Sequence, residues 1–364
     1  MKKTLIALAA LAATSAFAQS SVTLSGSINY GVATAVTGIH SYGGWKGDRN
    51  HVTFGAVEDL GGGLKVTVLA QLRYNSATSE QSTSYVSTTT GLRGDNLFEQ
   101  TSVAVDSSFG QVRMGRFTNA VGVAPLHPFE DSGQSTASHQ AANGRFSGQI
   151  QYVSPMVAGF QVFAWNAQKT ANKFLTADGS GYYKSAFDAT LGMSMPNLAT
   201  NQTDATRWAN ANSVGINYSN GPVYAQYYTL TDMTGLKSSK IGASYDLGVA
   251  KLFANQFKQN SNQAYSSTAV AATKGMAAHN ATELAASVPM GAWTFTLGRF
   301  NANKDLQLGK TDGSTKTART AWGATYDFSK RTKAIYVAST TSNGSLLTTM
   351  ATGKNQFLGL QHTF

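Results

Sequence analysis

Cysteine is absent from this chain of 364 residues. That excludes disulfides and thiolate metal sites, and it suits passage through an oxidising compartment, where unpaired thiols form wrong bridges. Histidine is scarce and scattered: six residues, none repeating at ligand spacing, so no zinc centre is expected. No glycine-rich loop stands between a strand and a helix to cradle a phosphate. Basic residues outnumber acidic ones, 28 to 18. They are dispersed along the chain without a basic helix, which argues against a nucleic-acid partner. His127 and His139 lie near serines, but only chance would bring a nucleophile, a base and an orienting group together there, so a hydrolase is not expected. The expectation is no enzyme, no cofactor and no metal. Long apolar runs are missing too. Beyond the first residues no stretch approaches the ~20 apolar residues of a spanning helix. The protein is therefore either soluble or crosses a bilayer as a closed β-barrel.

What the chain does have begins at its start. Met1-Lys2-Lys3 is positive, residues 4–15 are apolar and rich in Ala and Leu, and Ala16-Phe17-Ala18 is a small-residue cleavage site. Residues 1–18 are expected to be a secretory signal peptide, leaving a single mature domain over 19–364.

Alternation fills the rest. Val22, Leu24, Ile28, Tyr30 and Val32 share one phase, with Thr23, Ser25, Ser27 and Asn29 on the other. Such strands account for 42% hydrophobic residues without an apolar block. Short turns at 58–63, 106–110, 154–159, 219–222, 246–248, 289–291 and 328–331 separate them, and longer polar loops lie between consecutive turns. That rhythm belongs to an up-and-down barrel with one short-turn rim and one long-loop rim. A strand on each side of every turn, plus a first over about 21–34 and a last over about 354–364, predicts an all-β, transmembrane, 16-stranded antiparallel barrel. The even number pairs the first strand with the last and leaves no edge in the bilayer. A barrel that wide keeps an aqueous lumen. Residues 187–195 also alternate, as an extra strand or as ordered structure in the 168–209 loop. Tyr30, Tyr74, Tyr152, Trp165, Tyr218, Tyr245, Trp322 and Tyr326 cluster towards strand ends, as interfacial girdles do.

Pieces spread over nearly the whole chain then carry a resemblance. They include Ser21-Val22-Thr23-Leu24-Ser25-Gly26, Glu58-Asp59-Leu60-Gly61-Gly62-Gly63, Phe109-Gly110-Gln111-Val112-Arg113-Met114-Gly115-Arg116 and Tyr326-Asp327-Phe328-Ser329-Lys330-Arg331. The terminal Gly359-Leu360-Gln361-His362-Thr363-Phe364 completes the series. In order and spacing the chain resembles the trimeric general porins of Gram-negative outer membranes, particularly the β-proteobacterial kind. The resemblance implies an outer-membrane location, a homotrimer, and contact with outer-membrane lipid and lipopolysaccharide. It also implies Phe364 as the signal read by the barrel assembly machinery. The third long loop, 118–145, would fold into the lumen and narrow it, with Glu130 and Asp131 at its bend.

Selectivity in a wide pore comes from charges around the constriction. Alternation puts Lys65, Arg73, Arg113 and Arg145 on the inward face, and Arg116 where the chain turns into the third loop. Glu130 and Asp131 would face them. At positions where strongly anion-selective relatives carry arginines, this chain has His51, Gln100 and Gln361, and only Arg145 keeps its arginine. A moderate anion preference follows, to which His51 adds charge only when protonated. The expected function is passive passage of small hydrophilic solutes and anions. Two alternatives are a solute-specific channel, with Tyr182, Tyr183 and Trp208 as aromatic steps, and a plugged adhesin or structural barrel. A soluble secreted β-protein is weaker.

Overall fold

The computed structural model describes residues 21–34, 40–43, 50–74, 98–118, 145–167, 210–231, 237–259, 279–305, 315–342 and 353–364. Among them, seventeen strands form one antiparallel sheet. They are β1 (Ser21–Thr34), β2 (His40–Gly43), β3 (Asn50–Gly61), β4 (Leu64–Tyr74), β5 (Gln100–Ser107), β6 (Gly110–Thr118), β7 (Arg145–Val153) and β8 (Phe160–Ala167). Then follow β9 (Ala211–Asn220), β10 (Val223–Thr231), β11 (Lys237–Asp246), β12 (Lys251–Gln259) and β13 (His279–Met290). The last four are β14 (Trp293–Asp305), β15 (Thr315–Asp327), β16 (Thr332–Ser342) and β17 (Gly353–Thr363). The four-residue β2 pairs with β1 alone and is an addition to the expected strands. The other sixteen are the predicted staves, each paired to its neighbours.

All seven short turns connect the strands predicted to flank them. Gly61, Gly62 and Gly63 turn the chain between β3 and β4 with φ of 80°, 61° and 83°, a left-handed run that side chains disfavour. The barrel closes where β1 pairs with β17, from Ser27↔Thr363 to Thr34↔Gln356. Beyond that ladder Gly26 and Phe364 exchange both backbone hydrogen bonds at 3.1 Å. The phenyl ring of Phe364 lies over Gly26, where a Cβ would come 2.4 Å from ring carbon Cζ and 2.4 Å from the His51 carbonyl oxygen.

Alternation sorts the two faces as expected. Leu358 is 60% exposed on the outer face, while Phe357 beside it is 2% exposed on the inner. Tyr30, Tyr152, Tyr245 and Trp322 are exposed and outward, and Trp293 and Tyr326 pack with ring centroids 4.8 Å apart on that surface. Trp165 departs from the girdle. It is buried inside with Phe163, Tyr228 and Leu230, because β8 places Phe160 and Val162 outward and so turns 163 and 165 inward. Phe163 has room there because its opposite number is Gly215, whose Cβ would lie 2.3 Å from the ring.

At three short-turn ends an inward lysine faces an inward aspartate across the ladder: Lys65↔Asp59, Lys251↔Asp246 and Lys333↔Asp327. Opposite charges so placed contribute roughly 0.2–1 kcal/mol each. They also leave that mouth of the barrel close to neutral.

Residues 1–20, 119–144 and 168–209 fall outside the described residues, and with them the expected signal peptide, most of the constriction loop with Glu130 and Asp131, and the 187–195 segment.

Candidate functional site: the inner wall over β3 to β7

Register fixes which side chains share the inner wall. Ser27, buried and inward, opposes His51, and His51 opposes Arg73. Thr53 opposes Gln71, and Gln71 opposes Gln100. Gln100 Nε2 donates to Gln71 Oε1 at 2.6 Å, and Gln71 Nε2 donates to Thr53 Oγ1 at 3.1 Å. This amide ladder holds three strands side by side and carries no charge. At the seam Gln361 Nε2 donates to Ser27 Oγ at 3.0 Å. His51, Gln100 and Gln361 thus all belong to one polar band.

The cations on the band are engaged. The Nε of Arg73 lies 2.5 Å from Glu99 Oε2, both side chains being largely covered. Glu99 precedes β5, where its own N–H donates to the Gln71 carbonyl at 2.8 Å. That bond bends the chain head over the end of β4 and brings the carboxylate to Arg73. Alternation has no purchase on such a residue. Arg113 donates from Nε to Ser102 Oγ at 2.9 Å, and its Cζ stands 4.3 Å from the centre of the Phe117 ring. A cation over an aromatic face contributes about 0.5–1 kcal/mol or more.

Two of the expected residues lie elsewhere. Lys65 is on the inward face but at the short-turn end of β4, eight positions from Arg73. At about 3.3 Å per residue that is roughly 26 Å along the strand. Its cross-strand neighbours are Asp59 and Asp106. Arg116 lies two residues before β6 ends at Thr118, but not on the inward face. It pairs with Thr101, on the outward phase of Val112 and Met114, and its Nε donates to the Glu99 carbonyl at 3.2 Å. Arg145 opens β7 opposite Thr118, and its side chain is outside the described set.

The wall also holds charges that spacing did not single out. Glu283 on β13 is buried, accepts from Asn255 Nδ2 at 3.2 Å and has the Lys240 charge beside it. Arg319 on β15 donates from Nη2 to Ser339 Oγ at 3.1 Å. Both could have been found from alternation alone, since each sits between outward residues, Thr282 and Leu284 or Ala318 and Thr320. Among the described residues no group of three or more His, Asp or Glu could hold a metal ion.

A model of the Gram-negative porin family matches residues 4–345. The chain is 30% identical over 284 residues to the outer membrane porin protein 32 of Delftia acidovorans, covering 69% of this chain and 68% of that one. Its fold is similar to an anion-selective porin from Comamonas acidovorans, with a TM-score of 0.62, 21% identity, and 95% of this chain and 100% of that one covered. It is similar as well to the trimer form of OmpT, an outer membrane protein of Vibrio cholerae. There the TM-score is 0.62 at 11% identity, with 95% of this chain and 99% of that one covered.

Proposed function

The chain belongs to the Gram-negative porin family, and we propose that it serves the outer membrane as a general diffusion porin with a moderate preference for anions. The observation that carries the proposal is the closed barrel of sixteen long strands with a polar, charged inner wall. A barrel of that size is too wide for its own side chains to fill, so water and small solutes pass. Transport is passive. Selectivity arises from wall charge focused by low-dielectric surroundings.

The preference for anions is moderate because the wall compensates its own cations. Arg73 is held by Glu99, and the three lysines at the short-turn mouth face aspartates. Arg113 remains as an inward cation whose partners are a serine and a ring. Arg145 is assigned to the constriction with the loop 118–145, where Glu130 and Asp131 face it. Arg145→Glu should then move the reversal potential under a KCl gradient towards that of potassium. An unchanged potential would place Arg145 away from the narrow zone.

The protein assembles as a homotrimer after loss of residues 1–18, with Phe364 read by the assembly machinery. The solved trimer of the Vibrio cholerae protein supports the trimer by analogy of fold. Native mass measurement of the purified protein tests the trimer and the loss of residues 1–18. Lipopolysaccharide is the lipid partner. On the outer face Arg299, Thr320, Thr340 and Lys354 run opposite one another across β14 to β17, and Arg299 Nη1 donates to Thr320 Oγ1 at 2.6 Å. This polar row stands above the aromatic and aliphatic rows of Trp293 and Phe295, where lipid phosphates meet the hydrocarbon. Replacing Arg299 and Lys354 together by alanine should lower the lipopolysaccharide phosphate that copurifies, and an unchanged amount would remove the row from lipid binding.

A further inference from the structure

On the inner wall, Gln151 of β7 is a donor for which the described residues offer no acceptor. It is 3% exposed, and its Nε2 makes no hydrogen bond. Its partner across β6 is Arg113, and across β8 it is Trp165. Side chains directly opposite on one face have Cβ atoms about 4.5–5.5 Å apart. Gln151 therefore lies in register between Arg113 and Trp165 on the inner face, where Arg113 reaches along β6 towards Ser102 and Phe117.

Arg113 is set in one orientation. Its Nε is committed to Ser102 Oγ and one face of the guanidinium is covered by Phe117. What it presents is the edge bearing its two terminal nitrogens. The residues in register with it are Ala104 and Gln151, neither of them a carboxylate.

We propose that Arg113 and Gln151 form an anion station on which a small carboxylate or other oxyanion docks during passage. Two guanidinium N–H groups meet two oxygens of the anion, a geometry that the planar fork of arginine matches and a lysine does not. Gln151 Nε2 donates to one of the same oxygens. A covered amide donor beside a cation calls for an acceptor that carries negative charge. The station deepens the diffusion-porin function and rests on it: it makes one class of permeating anion pause where chloride does not.

Acetate is the probe. Chloride current through single channels is recorded in KCl while potassium acetate is added to one side. In the wild type, acetate should reduce the chloride current saturably. Gln151→Leu should raise the half-blocking concentration about 10- to 100-fold, as expected for loss of one charge-assisted hydrogen bond. Arg113→Lys should raise it similarly while leaving the chloride-to-potassium permeability ratio close to wild type, separating geometry from charge. Should Gln151→Leu fail to form barrels, Gln151→Glu places a carboxylate on Arg113 and should abolish the block. A wild-type channel that conducts but shows no saturable block, or equal half-blocking concentrations in wild type and Gln151→Leu, overturns the station. A wild type that inserts without conducting overturns the porin function first, and the station with it.

Discussion

Glu99→Gln should raise the chloride-to-potassium permeability ratio about two- to threefold. The substitution keeps the shape of the side chain and removes the charge 2.5 Å from Arg73. In water a unit charge acts on an ion about 7 Å away with about 0.6 kcal/mol. At about 0.1 M salt the Debye length of about 10 Å roughly halves that. Because the remainder acts with opposite sign on the two ions, the ratio moves by about two- to threefold. Arg73→Gln should move it the other way, since Glu99 is then uncompensated. The double variant should return near the wild-type ratio, because it removes a nearly neutral pair. Additive shifts in the double variant would show that the two groups do not act as a pair, and the wall would owe its moderate preference to something else.

Gly26→Ala should weaken the closure of the barrel, although alanine is ordinarily no worse than glycine in a strand. The added methyl has nowhere to go. It would stand 2.4 Å from the His51 carbonyl on one side and 2.4 Å from the Phe364 ring on the other. Overpacking of this kind costs about 1–3 kcal/mol. The unfolding entropy grows with chain length, about 2.1 cal/mol/K per residue, so in a barrel of this size each kcal/mol lowers the melting midpoint by about 1–2 °C and a fall of about 1–6 °C is expected. The midpoint is read from the heat-dependent change in gel mobility. Combining Gly26→Ala with Phe364→Ala relieves the ring but not the carbonyl, and should recover only part of the loss. A midpoint equal to wild type in Gly26→Ala would mean that the seam is not drawn as tightly as the paired hydrogen bonds of Gly26 and Phe364 require.

Most of the barrel was readable in the sequence, because the period of two and the short turns are local properties. Val22 and Leu24 face outward and Ser27 and Asn29 inward, as their alternation demands. The selectivity wall was readable only in part. Register puts Arg73 and Arg113 on the inner face, but what each stands against there has no signal in the sequence. Glu99 meets Arg73 because a backbone bond to Gln71 bends the chain ahead of β5, and Gln151 stands opposite Arg113 through the register of β6 and β7, strands far apart in sequence. Neither relation has a local sequence signal. Trp165 was placed in the girdle by its residue type, whereas the phase of its own strand turns it inward among Phe163, Tyr228 and Leu230. Arg116 stands two residues before the end of β6, where the third loop was expected to begin, and its phase carries it to the outer side.

The measurement that tests the central claim most directly is the reversal potential of the purified protein in a planar bilayer under a KCl gradient. Discrete conductance steps with a reversal potential displaced modestly towards that of chloride are predicted. Insertion without conductance, or a potential displaced towards that of potassium, would contradict a diffusion porin whose wall keeps a small excess of positive charge.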